Sequence, residues 1–269
     1  MSDPAAKPVI AVQTWTIRES CKTLSDLATS FTRLKEMGYD AVEFGAPIFS
    51  EKSGKEIKQV LDDTGIQVVS AHRSLDLLRD ASAASDFFQE IGCNYAVLGG
   101  WGWGGGEQKQ AWSTFIDDFN SVAKGLEGTG IRLGYHNHAH EWVPFGLQDA
   151  PETISADDAP IVMLADRLTQ NAWFELDTYW VAYAGACPAR WIRRFEDRIP
   201  CLHVKDMTMV NQDQQRMCEV GAGNLDWPGI LDAAKAAGVQ HYIVERDHGD
   251  LDPFDSLKIS LENLKRWGL

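Results

Sequence analysis

The groups in this 269-residue chain best suited to hold a cation or move a proton are its seven histidines and 39 acidic residues. Three stand out by context. Asp177, His203 and Glu245 each fall at the end of a short apolar run, and the three runs follow one another along the chain. An ionisable group there is costly unless it is paired, metal-bound or catalytic. Carboxylate, imidazole and carboxylate from consecutive runs suit one divalent cation. Oxygen-rich ligation with a single imidazole favours Mn2+ first, then Mg2+ or Co2+, over structural zinc, which prefers sulfur. A fourth ligand is expected from the preceding run, which leads into Tyr135-His136-Asn137-His138-Ala139-His140-Glu141-Trp142. Glu141 is the choice, completing three carboxylates and one imidazole. Four protein ligands on an octahedral ion leave two open positions, which suit neighbouring oxygens of a hydroxy-ketone.

The elements that would position these groups alternate in type. Short runs rich in Val, Ile and aromatic residues predict strands at Val9–Trp15, Ala41–Phe44, Gln67–Ala71, Tyr95–Gly99, Arg132–His136, Trp173–Asp177, Cys201–Val204 and Tyr242–Glu245. Amphipathic stretches between them predict helices at Thr23–Met37, Glu56–Thr64, Ala81–Ile91, Gln108–Leu126, Pro188–Asp197, Ile230–Ala237 and Pro253–Trp267, several closing at a glycine. Residues 146–170 read as an acidic loop with a short helix near Ala165–Gln170. Dividing 269 residues among eight units gives about 34 each, a comfortable strand-plus-helix length. The expected fold is α/β, a single (β/α)8 TIM barrel over residues 9–269 after a flexible leader, 1–8. An open doubly wound sheet is the alternative. The first turn, Gln13-Thr14-Trp15-Thr16-Ile17-Arg18, lacks the glycines of a dinucleotide site.

In such a barrel the active site lies at the C-terminal ends of the strands. Six of the seven histidines (His72, His136, His138, His140, His203 and His248) fall there, and only His241 starts a strand. The same ends receive Glu43, Arg73, Glu175 and a glycine-rich stretch, Gly99–Gly106. That stretch lacks the GK[ST] ending of a phosphate cradle and reads better as a lid.

Composition narrows the partners. The net charge of −14 and pI near 4.9 argue against nucleic acid and against an anionic membrane surface. No apolar run is long enough to span a bilayer. Five scattered cysteines without a CxxC pair point to reduced thiols and a cytoplasmic setting. The expected partner is a small carbohydrate or polyol, and a homo-oligomer is left open.

YHNHAHEW (Tyr135–Trp142), ELDTYW (Glu175–Trp180), LHVKDM (Leu202–Met207) and VERD (Val244–Asp247) stand in order on the last four predicted strands. Together they resemble the xylose-isomerase-like barrel superfamily, in its sugar (phosphate) isomerase/epimerase branch, related to inosose dehydratases and ketose 3-epimerases. The resemblance runs from Val9 to Trp267. It implies a metal held by Glu141, Asp177, His203 and Glu245, with Glu141 and Glu245 also serving as acid/base groups. The 3-epimerase pattern carries its strand-5 Glu earlier, where this chain has Gly134 or Tyr135. Endonuclease IV, a multi-metal member that must approach DNA, fits the acidic charge poorly.

The implied chemistry is proton removal beside a ketone through a metal-stabilised enediolate. Return of the proton to the neighbouring carbon isomerises, return to the opposite face epimerises, and loss of a β-hydroxyl dehydrates. Lys205 shares the face of His203 on its strand and can bind a hydroxyl, donate a proton, pair with Asp206 or bridge charges at the rim. His72 is read as a substrate contact or a packed, hydrogen-bonded group. His136 and His138 are read as pocket groups orienting Glu141, and His140 as solvent-facing. Glu175 shares the inward face of Asp177, with a buried pairing to Lys205 or Arg73 as the alternative, and Arg246 is expected to form a structural ion pair. Trp15, Trp101, Trp103, Trp142 and Trp180 gather at the rim, where indole faces stack on sugars or simply pack; Trp15, Trp103 and Trp180 are taken as substrate contacts. The leading expectation is a metal-dependent isomerase or epimerase of a keto-sugar or polyol. A metal-dependent dehydratase (a lyase) of a keto-inositol or keto-sugar is second, and a non-catalytic sugar-binding barrel third.

Overall fold

A computed structural model of the chain describes residues 7–102, 108–147 and 155–269. Eight apolar runs form parallel strands: β1 (Val9–Gln13), β2 (Ala41–Phe44), β3 (Gln67–His72), β4 (Tyr95–Leu98), β5 (Arg132–His136), β6 (Trp173–Asp177) and β7 (Cys201–Val204), then, after a hairpin of β8 (Asp206–Asn211) and β9 (Gln214–Cys218), β10 (His241–Val244). Their order is β1-β10-β7-β6-β5-β4-β3-β2, and β1 pairs with β2 to close the barrel. The chain is thus a single (β/α)8 barrel.

Local chemistry fixes the outer ring. The helix Leu24–Met37 starts at a capping box, Thr23 with Asp26, and ends at Gly38 with φ 100°, a left-handed conformation that costs glycine little. Ser53 and Glu56 cap Gly54–Thr64 in the same way. Two expectations move. The short helix placed at Ala165–Gln170 is Pro160–Arg167, begun by Pro160 at its first turn, where a missing N–H costs nothing. The β8–β9 hairpin was not foreseen. It is anchored by Asp206, whose Oδ2 accepts from the backbone N–H groups of Gly221 and Gly223 and from Trp227 Nε1.

Inside the barrel, strand alternation stacks two unlike layers. The lower is apolar: Ala11, Ala41, Val69, Val97, Trp173, Cys201 and Ile243. Gly134 belongs to this level, because a Cβ there would lie 2.2 Å from Trp173 Cε2. The indole therefore fills the room a strand-5 side chain would need. Above this plug, the next inward positions are Gln13, Glu43, Glu175, His203 and Glu245, all buried. All five cysteine thiols are free. Among the described residues, no helix is long and apolar enough to cross a membrane.

Candidate active site

A cavity of about 600 Å³ opens at the C-terminal ends of the strands, lined among others by Trp15, His72, His136, His138, Trp180, Lys205, Glu245 and Asp247. Its floor is a compact set of charges. Asp177, His203 and Glu245 each offer an atom to a group lying within 4.8 Å. The structure therefore brings these three residues to one point. His203 Nδ1 is 3.0 Å from Glu245 Oε2 and 3.8 Å from Asp177 Oδ2. Lys205 stands beside them, its Nζ 2.8 Å from Glu245, 3.1 Å from Asp177 and 3.1 Å from Asp247. Its pairing with Asp206 does not form, because Asp206 points the other way, into the hairpin anchor.

A second set lies deeper. His72, His136, Glu175 and His203 also gather within 4.8 Å. His203 Nε2 donates to Glu43 Oε1 at 2.6 Å, and Glu43 in turn accepts from Gln13 Nε2 at 2.6 Å and from Ser70 Oγ. Glu175 Oε2 is 3.1 Å from His72 Nε2 and 3.2 Å from both His136 Nδ1 and His203 Nε2. The alternative pairing of Glu175 with Lys205 or Arg73 is thus replaced by three imidazoles. Arg73 instead lies over the Phe87 ring, 3.6 Å from its centre.

Glu141 is the principal displacement. It belongs to neither group of prospective ligands. Tyr135 points outward from β5, between β5 and the helix Lys109–Gly125, packing against Phe115 and Phe119. Its hydroxyl donates to Glu141 Oε1 at 2.8 Å, and the His138 N–H donates to Oε2 at 2.9 Å. The turn after β5 therefore carries Glu141 to the outer side of the barrel wall. His138 lines the cavity, His136 reaches its floor, and neither side chain is seen bonded to the Glu141 carboxylate. His140 is only 15% exposed in its side chain and donates from Nε2 to the Trp101 carbonyl at 2.7 Å, so it is not solvent-facing. Trp15 and Trp180 face the cavity. Trp101 stacks on Phe115 and Trp142 meets Trp191, so both serve packing. Residues 103–106 of the glycine-rich stretch, Trp103 among them, lie outside the described residues. Arg246 pairs with Glu219.

Burial and neighbouring charge set the protonation states. Burial opposes charge on His203, but Glu175 and Glu43 outweigh it and hold its pKa well above the usual value. Burial likewise opposes charge on His72, yet the Glu43 and Glu175 carboxylates bring it up to about 10. Burial, helped by the Lys205 ammonium, pushes His138 down to about 2, and with the nearby His203 cation keeps His136 neutral. Burial would raise Glu245, but Lys205 and His203 override it and keep the carboxylate ionised. Burial lifts Glu141 to about 8 against its hydrogen bonds.

Three residues of this floor were not singled out from the sequence as site members. Gln13 and Ser70 belong to no motif, and Asp247 closes the VERD motif without a role assigned to it there. Glu43 and Glu175 were placed at the strand ends, and inward alternation was the signal that they join the buried layer.

A closed eight-stranded barrel with its polar cluster at the strand C-termini defines a class of α/β barrel with a charged mouth. The sequence matches the family described as xylose isomerase-like TIM barrel over residues 31–267, and the chain belongs to that family. An inosose dehydratase from Geobacillus kaustophilus (strain HTA426) is 24% identical over 199 residues, 65% of this chain; the match spans 60% of that protein's length. A sugar phosphate isomerase/epimerase from Parabacteroides distasonis ATCC 8503 superposes with a TM-score of 0.78 at 22% identity, covering 98% of this chain and 96% of its own. A D-allulose 3-epimerase from Methylomonas sp., solved with D-allulose, superposes with a TM-score of 0.71 at 15% identity, covering 97% and 98%.

Proposed function

We propose that the chain is a divalent-metal-dependent isomerase or epimerase acting on a keto-sugar or related polyol. The observation that carries this reading is the meeting of Asp177, His203 and Glu245 beside Lys205 on the cavity floor. The residues fit a cation. Glu43, Glu175, Asp177, Glu245 and Asp247 set five carboxyl groups against the Lys205 ammonium and the two raised imidazoles, His72 and His203. Asp177 Oδ2 is buried with no conventional hydrogen bond, and only the Lys205 ammonium at 3.1 Å meets its charge. Asp177, His203 and Glu245 would hold the ion, and Mn2+ suits their donors, with Co2+ or Mg2+ as substitutes. When bound, it supplies Lewis acidity toward a keto oxygen and makes the adjacent C–H more acidic.

The remaining steps belong to the chain's own groups. Glu245 is held ionised by Lys205 and His203 and borders the cavity, so it takes the proton from the substrate carbon. Returning it to the neighbouring carbon isomerises, whereas epimerisation requires a second donor, Lys205, to protonate the opposite face. Lys205 is fixed by three carboxylates and faces the cavity, where its ammonium binds a substrate hydroxyl. Trp15 and Trp180 wall the same space with apolar faces against sugar C–H groups. Glu141, outside the cavity wall, supports the loop after β5 rather than moving the proton.

The inosose dehydratase relative favours a second reading, a lyase expelling a β-hydroxyl from the same activated substrate. Product analysis by NMR in deuterated water, with Mn2+ and a panel of keto-sugars and keto-inositols, separates the two. Deuterium entering a product of otherwise unchanged mass supports isomerisation or epimerisation. A product lighter by one water, with a new carbon–carbon double bond, replaces it with the lyase. Saturable binding with no turnover across the panel overturns both in favour of a non-catalytic sugar-binding barrel.

A further inference from the structure

We infer that His136, rather than Glu141, completes the cation site with Asp177, His203 and Glu245, and that Glu175 and Glu43 position the two imidazoles from behind. This rests on the metal-dependent reading above and adds to it a two-imidazole, two-carboxylate donor set.

Four observations converge. First, the other strand-5 positions cannot serve: Gly134 is closed by the Trp173 indole, and Tyr135 with Glu141 faces the outer side of the wall. His136 is the inward residue at the top of β5 and lines the cavity. Second, Asp177 Oδ2 lies 3.8 Å from His203 Nδ1 and 3.9 Å from His136 Nε2; His136 groups within 4.8 Å with His72, Glu175 and His203 rather than with Glu245, so its ring must close on the triad as the ion binds. Donor atoms sharing one ion with bonds near 2.1 Å are about 3 to about 4 Å apart. Third, Asp177 Oδ2, the oxygen that faces both imidazoles, makes no conventional hydrogen bond and is met only by the Lys205 ammonium at 3.1 Å.

Fourth, each imidazole has a buried glutamate behind its far nitrogen. His203 Nε2 donates to Glu43 at 2.6 Å, which commits that nitrogen and leaves Nδ1 toward Asp177 and Glu245. His136 Nδ1 sits 3.2 Å from Glu175 Oε2, and Nε2 is the nitrogen turned toward Asp177. A carboxylate behind a ligating histidine fixes its tautomer and raises its basicity. The same short bond to Glu43 decides between the two overlapping clusters, because a nitrogen that donates to Glu43 has no lone pair for an ion deeper in the barrel.

Mn2+ titration of the chelator-treated protein by calorimetry, with pulsed EPR of the Mn2+ form, tests the assignment. The wild type is expected to show 14N couplings from two imidazoles. His136→Gln should leave one and weaken Mn2+ by about 100-fold or more, while Glu141→Gln changes affinity less than about threefold. Glu175→Gln should weaken binding by about 10- to 100-fold, the range for an outer partner of a ligand, with Glu175→Asp recovering part of it. A single 14N coupling in the wild type, or unchanged affinity in a folded His136→Gln, overturns the His136 assignment and leaves the metal reading standing. Loss of Mn2+ in Glu141→Gln restores Glu141 as the ligand. No Mn2+ binding by the wild type overturns the metal reading itself.

Discussion

Glu245 and His203 touch at 3.0 Å, yet their roles in the proposed chemistry differ, and substitution should separate them. His203→Ala removes a donor held by Glu43 and is expected to lose Mn2+. Glu245→Gln keeps an oxygen donor, so Mn2+ content should fall less while turnover drops by about 100-fold or more, as for loss of an acid/base group. Metal analysis beside initial rates checks this, and equal metal loss in both variants argues against the split. Glu141 offers a pH test of a different kind. Its folded pKa is raised to about 8 by burial, above the ordinary value. The native state therefore binds a proton that the unfolded chain releases. Its contribution to stability is fully present below the ordinary carboxylate range and is lost as pH rises through about 8. The unfolding free energy of wild type relative to Glu141→Gln should decline by up to about 1.4 kcal/mol per pH unit across that window. Urea titrations between pH 5 and 8, taken as about the span of the two pKa values, read the difference, and parallel curves would contradict it.

At the scale of elements, strand 5 shows what sequence could and could not disclose. The barrel strands were legible almost to the residue, because apolar runs alternating with amphipathic stretches carry both length and period. Asp177, His203 and Glu245 were legible as well, since a charged group closing an apolar run announces itself. The fate of Glu141 was hidden. It depends on a turn after His136 that sends the chain outward and on Tyr135 Oη waiting there, neither of which a spacing pattern encodes. The β8–β9 hairpin was hidden for a related reason: Met207-Thr208-Met209-Val210-Asn211 mixes exposed apolar and polar residues without a buried face. Gly134 is the converse, a residue that looks idle in sequence and is fixed by its neighbour. Gly134→Ala would drive Cβ into the Trp173 ring, and overpacking of this kind costs about 1–3 kcal/mol. Urea unfolding should show that loss, and an unchanged midpoint would mean the indole can move aside.

The whole molecule gathers residues 177, 203 and 245 from separate βα units, so the ion site exists only when the barrel is closed. An unfolded chain offers these donors far apart, and Mn2+ should bind the native state alone. Such a ligand stabilises by mass action, about 2.7 kcal/mol at a hundredfold excess over Kd. For a domain of this size each kcal/mol shifts Tm by about 2–4 °C, so saturating Mn2+ should raise Tm by about 5–10 °C. The net charge of −14 attracts any divalent cation diffusely, and that background must be separated from the site. His203→Ala keeps all the carboxylates and lacks only an imidazole, so it retains the diffuse attraction and loses the specific donor. Differential scanning calorimetry of both proteins with Mn2+, then with EDTA, makes the comparison. A large, EDTA-reversible rise in the wild type and a small one in the variant places the stabilisation at the barrel mouth. Equal rises in both would assign it to the acidic surface as a whole.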